Sequence, residues 1–249
     1  MSENIQGKVA LVTGSSQGLG AVTAKILARE GCYVYVNCSR SINKAEAVVS
    51  EIVADGGSAE VFQCDISSEK AIEEKFKSLK DVDILINNAR LDPYNRTAND
   101  SESEWFSKLL NVNLIGAYLV TLALINGMKE RRWGRIINVS SVQAYLPRPR
   151  EQIPYSASKL AMHALSRSFA IEGAPFNVTV NTVAPGIVLT ENIGKRLSEE
   201  ELADKMYNLV PLGRGASSEE IAESIVNTIK SPYITGETIN INGGIFLAI

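Results

Sequence analysis

The sequence predicts an α/β fold: a single-domain, doubly wound parallel sheet with helices on both faces. Three observations predict it. Short apolar runs alternate with longer amphipathic ones. The short runs are apolar throughout, as strands covered on both faces must be. No Pro/Gly/Ser linker, repeat or low-complexity stretch divides the 249 residues, a length that α/β folds commonly hold as one unit.

In chain order, residues 9–12 read as the first strand and residues 18–30 as a helix with apolar positions at helical spacing. Residues 33–36 form the second strand, and residues 44–54 a helix closed by Gly56 and Gly57. The third strand is marked by Val61 and Phe62, its helix spans residues 69–79, and the fourth strand is 83–86. A long apolar helix covers roughly residues 111–130, followed by a fifth strand at 135–139. A helix at about 155–172 precedes strands at 178–183 and 239–241. Residues 92–102, 145–154 and 186–212 read as loops beyond carboxyl ends of strands, where open α/β sheets bind ligands. The last of them predicts a substrate lid near 187–212.

A formal net charge of −3 leaves no electrostatic footprint for nucleic acid. The densest basic cluster, Lys129 to Arg132 with Arg135, reads as a solvated helix end. Cys32, Cys38 and Cys64 are few, odd in number and without C-x-x-C spacing. They point away from disulfides and zinc and toward a reducing cytoplasm. No basic-plus-apolar leader precedes the first strand, and no run approaches ~18 uncharged apolar residues, so neither secretion nor a membrane span is expected. His163 is the single histidine. A Ser-His-Asp hydrolase needs one as base, and most catalytic metal sites need several, so no metal is expected and His163 reads as packed or interfacial.

After the first strand comes Gly14-Ser15-Ser16-Gln17-Gly18-Leu19-Gly20. Gly14 permits a tight turn, Gly18 a close backbone approach to a pyrophosphate, and Gly20 close helix packing; the helix N-terminus offers free amides to phosphate. Between a strand and a helix, this is the Rossmann-type dinucleotide signature. Ser16, Gln17 and Leu19 belong to the same loop. An NAD site usually carries a carboxylate at the end of the second strand. This chain has Asn37-Cys38-Ser39-Arg40 there, and Ser39 with Arg40 suits the 2′-phosphate of NADP(H). Asp65 and Ile66 are placed to touch adenine, although Asp65 reads equally as a helix cap.

Tyr155 and Lys159 stand at i and i+4, one turn apart on one helix face. A neighbouring ammonium brings a phenol pKa of ~10 toward the working range. Ser140-Ser141 ends the fifth strand, Asn113 sits in the long helix, Asn87-Asn88-Ala89 ends the fourth strand, and Pro185-Gly186 follows the sixth with Thr190 beyond.

In this order and combination, these motifs resemble the short-chain dehydrogenase/reductase family over essentially the whole chain. Within it the chain is similar to bacterial 3-oxoacyl-acyl-carrier-protein reductases, in residues 183–186 and in the ending at 234–244. The resemblance implies that Tyr155 is the general acid in ketone reduction, and that Lys159 bonds the nicotinamide ribose and lowers the pKa of Tyr155. It implies that Ser141 holds the substrate carbonyl and that Asn113 holds a relay water. Asn87 and Ala89 would border the cofactor ribose, and Pro185, Gly186, Ile187 and Thr190 would line its carboxamide end. It also implies a homotetramer.

One departure stands out: Arg90 occupies the place where the family usually has glycine. With Tyr145 and Arg148 it makes a polar set for substrate, suiting a small polyhydroxylated cyclic or aromatic ketone as well as a 3-oxoacyl thioester. The thioester reading expects the cluster near Lys129 to Arg135 to dock an acyl-carrier protein. The alternative is a catalytically silent NADP-binding regulator of the same fold.

Overall fold

A computed structural model describes residues 2–190 and 198–247. Seven parallel strands form one sheet in the order β3-β2-β1-β4-β5-β6-β7. They are β1 (Val9–Val12), β2 (Tyr33–Cys38), β3 (Ser58–Gln63), β4 (Ile84–Asn87), β5 (Gly134–Val139), β6 (Val178–Pro185) and β7 (Thr238–Ile241). Among the described residues the helices are α1 (Gly18–Arg29), α2 (Ile42–Ala54), α3 (Glu69–Lys75), α4 (Glu102–Leu110), α5 (Gly116–Glu130), α6 (Ile153–Gly173), α7 (Glu199–Leu209) and α8 (Ser218–Ile229).

Strand alternation sorts the core into two layers. Ala10, Val12, Val34, Val36, Ile84 and Ile86 pack on one face with residues of α1, α2 and α8. Leu11, Tyr35, Leu85 and Ile136 pack on the other with residues of α3, α5 and α6. The order of strands reverses between β1 and β4, so their carboxyl ends flank the switch point where such sheets hold ligands.

The structure shifts one helix start and adds two helices to those expected. The long helix begins at Glu102, because Ser101 and Glu104 make a capping box that the apolar pattern does not reveal. It continues through a π turn, Asn111–Ile115, into α5. Within the stretch read as irregular, α7 is capped reciprocally by Ser198 and Glu201. The sequence reading assigned no element to α8, although Ser217 and Glu220 cap it and Ile221, Ile225 and Ile229 are buried along it. Of the lid expected near 187–212, residues 191–197 lie outside the described residues.

By length and composition alone, residues 102–130 could cross a membrane, contrary to the expectation from the apolar runs. Asn113 and Thr121, fully enclosed in that helix, hydrogen-bond to protein partners, as a packed core helix requires.

Candidate active site

The glycine turn is bolted to the end of β4. The Thr13 hydroxyl donates to the Ile86 carbonyl and accepts from the Asn88 and Ala89 amides, each at 3.0 Å. The Asn88 side-chain amide donates to the Thr13 and Gly14 carbonyls. Gly14 has φ +63°, and a Cβ there would stand 2.7 Å from Ala89 Cα. A Cβ on Gly20 would stand 2.5 Å from the Asn88 amide nitrogen. Gly18 has φ +57° with open space before it, as a backbone approached by a ligand needs. No side chain caps the N-terminus of α1, so its first amides are left for an anion. Ser16 is half-buried and Leu19 packs on the core. The Gln17 side chain accepts from Lys44, a contact between distant segments that no local motif signals.

Ser39 and Arg40 are exposed at the end of β2. Asn37 is structural: its side chain accepts from the Gly14 amide and donates to the Phe62 and Cys64 carbonyls, joining three strand ends. The capping alternative for Asp65 is corrected. Ser68 caps α3, whereas Asp65 accepts from the Ser67 amide and hydroxyl in a local turn. The Ile66 side chain is committed to the core.

Asn87 donates to Thr121 and Asn138, while its Oδ1 is buried without a partner among the described residues. That orphaned acceptor, the positive-φ glycines and the uncapped helix start fit a dinucleotide with hydrogen-bond donors and a pyrophosphate. At the far side of the cleft, the Gly186 amide donates to the Ile241 carbonyl and the Ile187 carbonyl accepts from Ala216. Pro185 is buried and Thr190 half-buried.

Helix α6 carries Tyr155 and Lys159, both buried, at 6% and 1% exposure. Tyr155 packs with Trp105 and Leu109 of α4. The Lys159 ammonium donates to the Val139 carbonyl at 2.7 Å and stands 5.9 Å from the Tyr155 ring centroid. Burial, helped by the nearby Arg90 charge, pulls its pKa down to about 7. Burial pushes the Tyr155 phenol up, while the Arg90 charge and the Ser141 hydroxyl act to pull it down. The Arg90 charge thus acts on the phenol, and the Lys159 ammonium, close to the same ring, is held here by the Val139 carbonyl.

Asn113 sits in the π turn, accepts from the Leu91 amide at 2.7 Å, and donates to Ser158, which donates to the Tyr155 carbonyl. It thereby ties the loop after β4 to the catalytic turn of α6.

Ser141 caps the short turn Val142–Ala144 and reaches Tyr155. Ser140 is buried, donating to the Lys159 carbonyl and lying 2.8 Å from His163 Nε2. This Ser–His contact, unforeseen from sequence, is no nucleophile–base pair, because His163 Nδ1 faces the Tyr145 and Thr238 hydroxyls rather than a carboxylate.

Of the three residues read as substrate-binding, Arg90 stands beside Tyr155 and pairs with Asp92 at 3.0 Å. The Tyr145 hydroxyl bonds His163 and its ring stacks on Phe246 at 4.2 Å, contacts that brace the loop. Arg148 is half-buried with an unpartnered Nε. A cavity of about 270 Å³ is lined by Tyr207, Leu209, Val210 and Pro211, away from Tyr155.

In the Lys129–Arg135 cluster three of the cations meet carboxylates, and Arg132 donates to the Pro175 carbonyl. Lys129 meets Glu172, Arg131 meets Asp81 and Asp83, and Arg135 meets Glu3. It lies at the start of β5, the end opposite Ser140 and Ser141.

A family model described as short chain dehydrogenase matches residues 8–201. The 3-oxoacyl-[acyl-carrier-protein] reductase FabG of Aquifex aeolicus is 38% identical over 253 residues, covering 99% of this chain and 100% of that one. The FabG of Vibrio harveyi is 36% identical, covering 98% and 99%. Among solved structures, a double mutant of a Serratia marcescens short-chain dehydrogenase/reductase matches with a TM-score of 0.87 at 31% identity, covering 98% and 99%. A Brucella melitensis 3-oxoacyl-[acyl-carrier protein] reductase with bound NAD matches with a TM-score of 0.88 at 25% identity, covering 98% and 93%. The chain belongs to the short-chain dehydrogenase family. It is an oxidoreductase acting on C=O and CH–OH groups with a nicotinamide cofactor.

Proposed function

We propose that this enzyme reduces a ketone with NADPH, Tyr155 acting as general acid. The observation that carries the reading is the convergence of Ser141, Tyr155 and Lys159 at the carboxyl end of β5, beside the glycine turn and the orphaned Asn87 acceptor. NADPH, when bound, supplies the hydride. Gly14, Ser16, Gln17, Gly18, Leu19 and Gly20 would hold its pyrophosphate. Ser39 and Arg40 would hold its 2′-phosphate, and Asp65 and Ile66 would border the adenine. Asn87, Ala89 and Lys159 would hold the nicotinamide ribose, with Pro185, Gly186, Ile187 and Thr190 at the carboxamide.

The Ser141 hydroxyl donates to the substrate oxygen as negative charge develops there. Tyr155 then gives its proton to that oxygen, which becomes the alcohol. Lys159 must turn from the Val139 carbonyl to meet the ribose. Asn113, whose side chain is engaged by Leu91 and Ser158, would hold the relay water through its main chain.

The FabG relatives support a 3-oxoacyl thioester as substrate, carried on an acyl-carrier protein, in a cytoplasmic homotetramer. In the Lys129–Arg135 cluster, Lys129, Arg131 and Arg135 are each paired with a carboxylate, which leaves Arg132 as the charge most available for docking. A second reading, a small polar polyhydroxylated ketone, is supported by the Arg90–Asp92 pair at the phenol and the unpartnered Arg148 Nε.

A panel of acetoacetyl thioesters and cyclic polyhydroxy ketones, followed by NADPH absorbance with NADH in parallel, tests both. A preference for NADPH and a thioester advantage of at least about tenfold are expected, on the order of 1.4 kcal/mol in transition-state binding. An advantage for the polyhydroxy ketones selects the second substrate, and no turnover of either sinks the reductase reading.

A further inference from the structure

A rail of side-chain hydrogen bonds crosses three strands, from β6 to β4. In-register pairing sets Asn87 of β4 beside Asn138 of β5, and Asn138 beside Thr182 of β6, so the three side chains share one face of the sheet. Thr121 of α5 and Ser166 of α6 meet them there. None of the five is more than 3% exposed. Counting protons gives every bond a direction. The Thr121 hydroxyl spends its proton on the Ala117 carbonyl at 2.8 Å, and the Ser166 hydroxyl on the Met162 carbonyl at 3.0 Å. Toward the rail both oxygens therefore only accept. Ser166 takes the Thr182 hydroxyl at 2.7 Å and the Asn138 amide at 2.8 Å. That turns the Asn138 carbonyl oxygen to Asn87, whose amide donates to it at 2.8 Å and to Thr121 at 3.1 Å. Asn87 Oδ1 is left as a buried acceptor without a partner among the described residues.

We propose that Asn138 and Ser166 are positioning residues for the cofactor: they lock the Asn87 carboxamide with its carbonyl oxygen presented to a hydroxyl of the nicotinamide ribose. This deepens the NADPH reading and rests on it.

The two edges of an amide have nearly the same shape, so hydrogen bonds alone decide which edge meets a ligand. Turned over, Asn87 would set its oxygen against the Asn138 carbonyl oxygen, two buried acceptors with no proton between them. Without the Ser166 oxygen, Asn138 loses its own restraint. It can then turn its NH2 to Asn87, and Asn87 offers the ligand a donor instead of an acceptor. A buried acceptor calls for a ligand donor, and a pyrophosphate has none. The sheet order sets the ends of β2 and β3 on the adenine side and the end of β6 on the carboxamide side. The end of β4 lies between them, where the nicotinamide ribose and its hydroxyls fall.

The test is equilibrium affinity, read by NADPH fluorescence, in wild type, Ser166→Ala, Asn138→Ala, Asn87→Ala and the Ser166→Ala, Asn87→Ala double variant. Adenosine 2′,5′-bisphosphate is titrated by calorimetry on the same proteins. It carries the adenosine and the 2′-phosphate but no nicotinamide ribose, so a general loosening of the fold weakens it together with NADPH.

Ser166→Ala should weaken NADPH by about tenfold, the cost of a ligand donor left without its acceptor, and leave the bisphosphate unchanged. Asn138→Ala should show the same selective loss. On the Asn87→Ala background, Ser166→Ala should cost nothing further, because it acts through that side chain. Equal losses for the two ligands, an unmoved NADPH affinity in Ser166→Ala, or a full extra loss in the double variant each overturns the proposal. A wild type that prefers NADH sinks the NADP reading instead, and the same comparison of NADH with ADP still decides the role of the rail.

Discussion

Burial raises the Tyr155 phenol and lowers the Lys159 ammonium, so both side chains move toward their neutral forms. Their i, i+4 spacing was legible in the sequence because helix geometry makes it so. The direction of the Lys159 head was not legible, because it depends on a carbonyl of β5 that is distant in sequence. Arg90 was visible only as a departure from the glycine expected there. The His163 cluster shows the same limit. One histidine argued against a hydrolase, yet nothing local announced that Ser140, Tyr145 and Thr238 would surround it.

That cluster also makes a stability prediction. Burial, helped by the Arg167 and Lys159 charges, pulls the His163 pKa from 6.5 to about 4. Between those values the unfolded chain binds a proton that the folded chain does not. Stability is therefore fully present above about pH 6.5 and is lost as pH falls toward 4, by about 3 kcal/mol. Urea midpoints measured across that window should fall steeply for wild type and less steeply for His163→Gln; parallel slopes would contradict this origin.

Among the elements, the glycine turn was the most legible, because its demands are backbone demands. Gly14 and Gly18 both have positive φ, yet their surroundings differ. Gly18→Ala meets open space and should cost about 1 kcal/mol of strain. Gly14→Ala adds a Cβ against the Ala89 backbone and should cost at least about 2 kcal/mol, since a packed backbone cannot yield cheaply. Denaturant midpoints of the two variants check this, and equal losses would contradict the close approach of the two strand ends. The helices were less legible where capping, rather than apolar periodicity, sets their limits. Ser101 with Glu104 moved the start of the long helix back to Glu102, and Ser198 with Glu201 opens α7 inside a stretch read as loop. Such boxes are short polar signals that resemble ordinary surface sequence.

Across the whole molecule, the parallel order puts Gly14, Asn88, Ser141 and Gly186 at the carboxyl ends of β1, β4, β5 and β6. The basic residues at the start of β5 serve the opposite end, where Glu3 pairs with the fully buried Arg135 and accepts from the Trp133 indole. Segregation of chemistry to one end and ion-paired packing to the other was inferable from topology alone, whereas the partners of those charges required the structure. The central claim is that the cleft at the first end reduces a ketone through Tyr155. The most direct measurement is single-turnover reduction of acetoacetyl thioester by NADPH in wild type and Tyr155→Phe, with NADPH affinity measured on both. Loss of the general acid should slow turnover by on the order of 10² to 10⁴ with NADPH affinity unchanged. A Tyr155→Phe enzyme that binds NADPH normally and turns over at the wild-type rate would contradict the account.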